Sequence, residues 1–98
     1  MKKAIVHPED VETQVFDWGT IKWLSCPAVT DAKKFTFGVV IVEPGKGHDK
    51  HSHPDAEEII YVISGVAEQF VEGAEPETAP IKQGDLVYIP PGVTHATW

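Results

Sequence analysis

Short runs of β-forming residues alternate along the chain with turns that contain glycine or proline. No window shows the 3.6-residue apolar period of a helix, and only residues 8–13 suit a single helical turn. The predicted strands are residues 13–17, 20–24, 34–43, 58–63, 66–71, 78–82, 86–89 and 93–98. Many short strands separated by such turns predict an all-β sandwich or barrel.

The longer predicted strands are apolar on both faces. Within residues 58–63, Ile60 and Val62 share a face with Glu58, and the residues between them are also apolar. Residues 35–42 and 86–89 show the same pattern. One face should therefore line the interior of a barrel, while a second sheet or a second subunit covers the other, which predicts a homodimer.

Length and composition indicate one globular domain. The chain has 98 residues, of which 42% are hydrophobic and 23% charged. Its apolar runs are too short to span a membrane, and the first residues carry lysines without the apolar stretch of a secretory signal. With one cysteine, no internal disulfide can form. We therefore expect a cytoplasmic protein without a membrane partner.

The charge of the chain restricts its partners. The net charge is −7, which disfavours nucleic acid and anionic membranes. Every basic residue apart from histidine is a lysine, so the chain offers no guanidinium group to clamp a carboxylate or a phosphate. A dianionic substrate such as oxalate or a sugar phosphate is therefore disfavoured.

Three of the five histidines fall within residues 48–53. In an extended segment His51 and His53 project from one face with Cα atoms about 6–7 Å apart. Both imidazoles could then reach one ion at nitrogen–metal distances of about 2.0–2.1 Å. Residues 54–56 can turn the chain so that Glu58 supplies a third ligand. A histidine-rich polar turn without a metal is the alternative interpretation of these residues.

A distant histidine, His95, completes a pattern that resembles the cupin superfamily. The residues that match the two cupin motifs are Gly45, His51, His53, Glu58 and Gly65, followed by Gly84, Pro90, Gly92 and His95. All nine stand at the spacings of that family. The sequence is therefore similar to a small single-domain cupin of the RmlC-like type.

The resemblance implies a double-stranded β-helix, which is a jelly-roll barrel, over residues 1–98. Residues 1–33 would form N-terminal strands, and residues 34–98 would form the barrel core with both motifs. The resemblance also implies one divalent transition metal, Mn, Fe, Zn, Ni or Co, in the barrel interior. Its ligands would be His51, His53, Glu58 and His95. A closed tetrahedral structural site is the alternative to a site with an open position for substrate.

The second motif departs from the family at its end. It normally continues to an asparagine, but residues 96–98 fill that place and the chain contains no asparagine. We therefore expect the last barrel strands to be either absent or supplied by a partner chain.

A mostly apolar pocket should surround the metal. We expect His48 at its rim rather than as a fifth ligand, and Glu57 facing away from the metal. The predicted lining residues are Ile60, Val62, Phe37, Val39 and Phe70. Such a lining suits a small organic molecule that binds the ion directly.

The expected function is that of a small-molecule metalloenzyme with dioxygenase-like or isomerase-like chemistry, for which the sequence identifies no catalytic residue. A non-catalytic cupin that binds or senses a small ligand or a metal is the alternative. A structural dimeric barrel is a third interpretation, and fold alone does not decide among the three.

Overall fold

The computed structural model describes residues 2–98. Nine strands account for most of the regular structure, together with a 3₁₀ turn at Pro8–Asp10 and a one-turn helix, α1, at Pro27–Thr30. The strands are β1 (Thr13–Phe16), β2 (Gly19–Ser25), β3 (Phe37–Val42), β4 (His48–His51), β5 (Glu58–Tyr61), β6 (Val66–Val71), β7 (Thr78–Lys82), β8 (Leu86–Ile89) and β9 (His95–Thr97). Every strand pair is antiparallel. The predicted all-β class is confirmed.

The first of two compact units extends to Lys46 and contains β1, β2 and β3 in that spatial order. The β1–β2 hairpin turns at residues 17–18, and Gly19 begins β2 where the backbone of β3 passes very close. A Cβ atom at Gly19 would lie 1.8 Å from the carbonyl oxygen of Ile41, so only glycine fits there. The sequence analysis did not predict α1, which begins with Pro27 at its first position and ends at Asp31 in the left-handed conformation.

The second unit begins at Gly47 and contains two sheets. One sheet has the strand order β4–β9–β6–β7, so the last strand of the chain lies between two earlier ones. The other sheet is the β5–β8 ladder. The buried apolar residues of the described chain are Val87, Ile89 and Ala96, all in this unit. Since Ile89 lies directly opposite Glu58, the buried core abuts a predicted metal ligand.

No helix among residues 2–98 has the length and apolar character needed to cross a bilayer.

Candidate metal centre

The strand register brings the predicted ligands together. His51 ends β4 and lies directly opposite His95, the first residue of β9. His53 follows β4 and its carbonyl oxygen accepts a hydrogen bond from the amide of Gly92 at 2.8 Å. Glu58 begins β5. One strand end, two strand starts and one short loop therefore converge on the same place.

The ligand atoms of His51, His53, Glu58 and His95 all lie within 4.8 Å of one another. Glu58 Oε1 lies 3.1 Å from His95 Nε2 and 3.4 Å from His53 Nε2. Three nitrogens and a carboxylate oxygen at these separations surround a volume that suits one transition-metal ion. The group is thus positioned to bind a metal, while the assignment of each residue as a ligand stays a prediction.

Backbone carbonyls orient two of the imidazoles. His51 Nδ1 lies 2.8 Å from the carbonyl oxygen of Asp49, and His95 Nδ1 lies 3.0 Å from that of Val93. A carbonyl oxygen can only accept, so each Nδ1 donates its proton. The neutral ring then carries a free lone pair on Nε2, which is the form that binds a metal. In both cases the carbonyl belongs to the residue two positions earlier in the chain.

Two polar atoms at the centre of the group are buried without a hydrogen bond. His95 is 1% exposed, and neither His95 Nε2 nor Glu58 Oε1 has a hydrogen-bond partner among residues 2–98. They lie 3.1 Å apart, yet their contact lacks hydrogen-bond geometry. A protonated imidazole paired with the carboxylate would need that geometry. A cation held by both atoms satisfies them, so the residues fit a metal ion.

His48 lies beside the group without belonging to it. Its ring centroid is 4.2 Å from that of His51 in an edge-on arrangement. Burial lowers the pKa of His48, and the neighbouring His51 lowers it further. His48 is therefore neutral near pH 7, and its place at the rim of the pocket stays a prediction.

The predicted lining residues belong to different strands, some in the first unit and some in the second. Ile60 shares the face of Glu58 in β5 and lies opposite the buried Val87. Val62 follows with the same parity and is half-buried. The other two, Phe37 and Val39, belong to β3 of the first unit, where Phe37 is 57% exposed.

Phe70 does not join the ligands. Val71 lies directly opposite His95, and neighbouring strand residues point to opposite faces, so Phe70 lies on the other face of the sheet. There the Lys50 ammonium stands 4.3 Å from the centre of its ring, a cation–π contact.

Sequence reasoning missed a buried polar pair next to the ligands. Gln69 is 4% exposed and lies opposite Thr97, on the same sheet face as His95. The Thr97 hydroxyl donates to Gln69 Oε1 at 2.5 Å, and Gln69 Nε2 donates to the carbonyl of Phe70 at 3.1 Å. The hydrogen bond between Thr97 and Gln69 links β9 to β6 two residues after His95. The only signal in the sequence was a glutamine next to Glu68 in a strand whose other residues are apolar.

The fold and the site define a metal-binding protein of the cupin class. The family model described as "Cupin domain" matches residues 38–98, and the chain belongs to that family. The predicted resemblance is therefore confirmed.

Two curated relatives come from Streptomyces. "Polyketide synthase CurC" of Streptomyces cyaneus is 28% identical over 95 residues, which cover 97% of this chain and 60% of the relative. "Protein SchB" of Streptomyces halstedii is 31% identical over 91 residues, which cover 93% of this chain and 64% of the relative. The chain thus spans less than two thirds of the length of these relatives.

Solved structures of oxalate decarboxylases share the fold. The enzyme of Lactobacillus farciminis in a formate complex superposes with a TM-score of 0.81 at 26% identity, covering 93% of this chain and 28% of that one. A Bacillus subtilis oxalate decarboxylase studied for its Mn(II) centres gives a TM-score of 0.77 at 25% identity, covering 92% and 24%. These similarities support the predicted jelly-roll class, in an incomplete form.

Proposed function

We propose that the chain is a metal-dependent cupin that acts on a small organic molecule. One divalent transition metal is held by His51, His53, Glu58 and His95. The observation that carries this proposal is a pair of buried atoms, Glu58 Oε1 and His95 Nε2, which lie 3.1 Å apart and have no hydrogen-bond partner in the part of the chain that the structure describes. Among Mn, Fe, Zn, Ni and Co, we rank Mn and Fe first. The carboxylate ligand and the Mn(II) centres named for the similar decarboxylase support that ranking.

The bound metal would supply a Lewis acid or a dioxygen site with open positions for substrate. The chain's own residues prepare that site. The carbonyls of Asp49 and Val93 hold two imidazoles with Nε2 free. Ile60 and Val87 form an apolar wall on the face of Glu58, which limits the access of water.

The proposed chemistry is dioxygenase-like or isomerase-like, on a neutral or monoanionic compound with two neighbouring oxygen donors. Catechols and 1,3-diketones have this character. The absence of arginine disfavours a small dianion, although the similar solved structures are oxalate decarboxylases. The name of the Streptomyces cyaneus relative supports a polycarbonyl or aromatic substrate.

The test measures dioxygen uptake and absorbance changes of the metal-loaded chain with a panel of catechols and 1,3-diketones. We expect turnover that requires the metal and is lost in His95→Gln but kept in His7→Gln, which changes an exposed histidine outside the group. Binding without turnover would support the alternative, a ligand-binding or sensor cupin. Neither binding nor turnover, with metal bound, would overturn the proposed substrate class.

We also propose that residues 1–98 act as one cupin domain, with N-terminal strands in residues 1–33 and the barrel core in residues 34–98. The working form would be a homodimer in the cytoplasm. The apolar character of both strand faces supports the dimer, because a second subunit would cover the apolar face that is exposed in a single chain.

A further inference from the structure

The outward face of the β5–β8 ladder is continuously apolar. Ile59 lies directly opposite Tyr88, and Tyr61 lies directly opposite Leu86. Ile63 extends the row beyond the end of β5. We call these five residues the outer patch: Ile59, Tyr61, Ile63, Leu86 and Tyr88. Each is between 48% and 64% exposed, although all are large hydrophobic or aromatic side chains.

The opposite face of the same two strands carries the candidate metal ligand. Glu58 and Ile60 alternate with the patch residues and lie opposite the buried Ile89 and Val87. The inner face of the ladder therefore belongs to the buried core and the metal group. Its outer face is exposed and is not covered by any of residues 2–98. A change in the outer patch can be made without touching the residues that face the metal group.

The outer patch contains no charged side chain, and the carboxylate of Glu57 lies at its edge. Tyr88 donates its hydroxyl to the carboxylate of Glu57, which leaves the phenol ring lying on the patch. In the first unit, by contrast, exposed apolar residues are divided between two sheet faces. Ile41 lies on one face of β3 and Val40 on the other. The exposed apolar residues of the outer patch, in contrast, all lie on one sheet face.

The size of the outer patch suits one side of a dimer interface. At about half to two thirds exposure, side chains of this size, whose full surface is about 150–250 Å² for aromatics, each present roughly 100 Å². Five of them give about 500 Å² of apolar surface, which lies in the range of about 300–600 Å² for the largest exposed patch of a typical monomer, and such patches are often functional. A standard interface buries about 800 Å² on each partner, with an apolar centre and a polar rim.

We propose that the outer patch is the contact between two copies of this chain, related by a two-fold axis. The inference rests on the homodimer in the proposed function and assigns its interface. A two-fold contact needs a surface that is complementary to itself, and an array of uncharged side chains can meet a second copy of itself without like-charge repulsion. Because each chain carries a net charge of −7, an uncharged contact also keeps most like charges apart.

The experiment measures the mass of the metal-loaded full chain by sedimentation and light scattering over a range of concentrations. Leu86→Lys and Ile63→Lys place a charge in the outer patch without altering the inner face. Val66→Lys is the matched control, because Val66 is 85% exposed and lies outside the patch. Circular dichroism and metal content of each variant report whether folding and the metal group are intact.

We expect the unchanged chain and Val66→Lys to have twice the 10.8 kDa mass of the monomer. In both patch variants the dissociation constant should rise at least about thirtyfold, as for the loss of a hot-spot side chain, with metal content unchanged. An unchanged chain that stays monomeric at every concentration would overturn the dimer. Patch variants that remain dimeric would overturn this interface. Neither result touches the metal proposal, which the metal content tests separately.

Discussion

Removal of divalent metal should destabilise the folded chain by a measurable amount. Without a cation, Glu58 Oε1 and His95 Nε2 are buried 3.1 Å apart, and neither has a hydrogen-bond partner within the described residues 2–98. A buried polar atom without a partner costs about 1–3 kcal/mol. The ligands come from β4, β5, β9 and the loop after β4, so an ion that binds them requires the folded second unit.

The size of the effect follows from linkage. A ligand that binds only the folded state, at one hundred times its dissociation constant, stabilises that state by about 2.7 kcal/mol. For a chain of this size, each kcal/mol shifts the midpoint of thermal unfolding by about 4–8 °C. Loading with Mn²⁺ or Zn²⁺ should therefore raise the midpoint by about 10–20 °C relative to protein in chelator.

The assay is thermal unfolding followed by circular dichroism, first in chelator and then with each metal. In His95→Gln most of the rise should disappear, because the variant lacks the most buried ligand. His7→Gln should keep the whole rise. No rise in the unchanged chain, or an equal rise in His95→Gln, would refute the reasoning that these four residues hold the ion.

Three further predictions concern single side chains. Ile89→Ala should cost about 2–5 kcal/mol in the free energy of unfolding by chemical denaturation, because Ile89 is 2% exposed; a loss below about 1 kcal/mol would contradict its place in the core. Gly19→Ala should lower the unfolding midpoint strongly, since its Cβ would meet the carbonyl of Ile41, and an unchanged midpoint would disprove this close approach. The hydrogen bond to Glu57 raises the pKa of Tyr88. The stability that this hydrogen bond contributes is therefore fully present below the ordinary tyrosine pKa, and it is lost as the pH rises through the raised pKa. An absorbance titration of a variant without the other tyrosine should show this pKa fall in Glu57→Gln, and no fall would exclude the carboxylate as its cause.

The element pattern could be predicted from the sequence because alternation and turn residues are local signals. Seven of the predicted strands correspond to β1–β3 and β5–β8, and the eighth contains β9. β4 was not predicted as a strand, since its residues His-Asp-Lys-His are polar and carry no β-branched side chain. It becomes a strand by pairing with β9, a contact distant in sequence.

The candidate site could be predicted because motif spacing encodes which residues converge. Local spacing predicts that His51, His53 and Glu58 can converge, and the resemblance to the cupin motifs adds His95. The structure brings the four residues together. The atoms that orient them could not be predicted, because the carbonyl of Val93 meets His95 Nδ1 only through the backbone conformation.

Phe70 shows the limit of parity arguments. Which residues of β6 face the ligands depends on the register with β9, where Val71 rather than Phe70 lies on the side of His95. Register is set by pairing across the sheet, which is not visible within one strand. The same register places Gln69 beside Thr97 and explains why a polar residue occupies that strand.

The metal content of the purified chain tests the central claim most directly. Protein prepared without added metal, then loaded and freed of excess ion, should hold one divalent transition-metal ion per chain by elemental analysis. His51→Gln and His95→Gln should hold substantially less, while His7→Gln should match the unchanged chain. An unchanged chain that retains no ion, or ligand variants that retain as much as it does, would contradict the assignment of these residues as a metal centre.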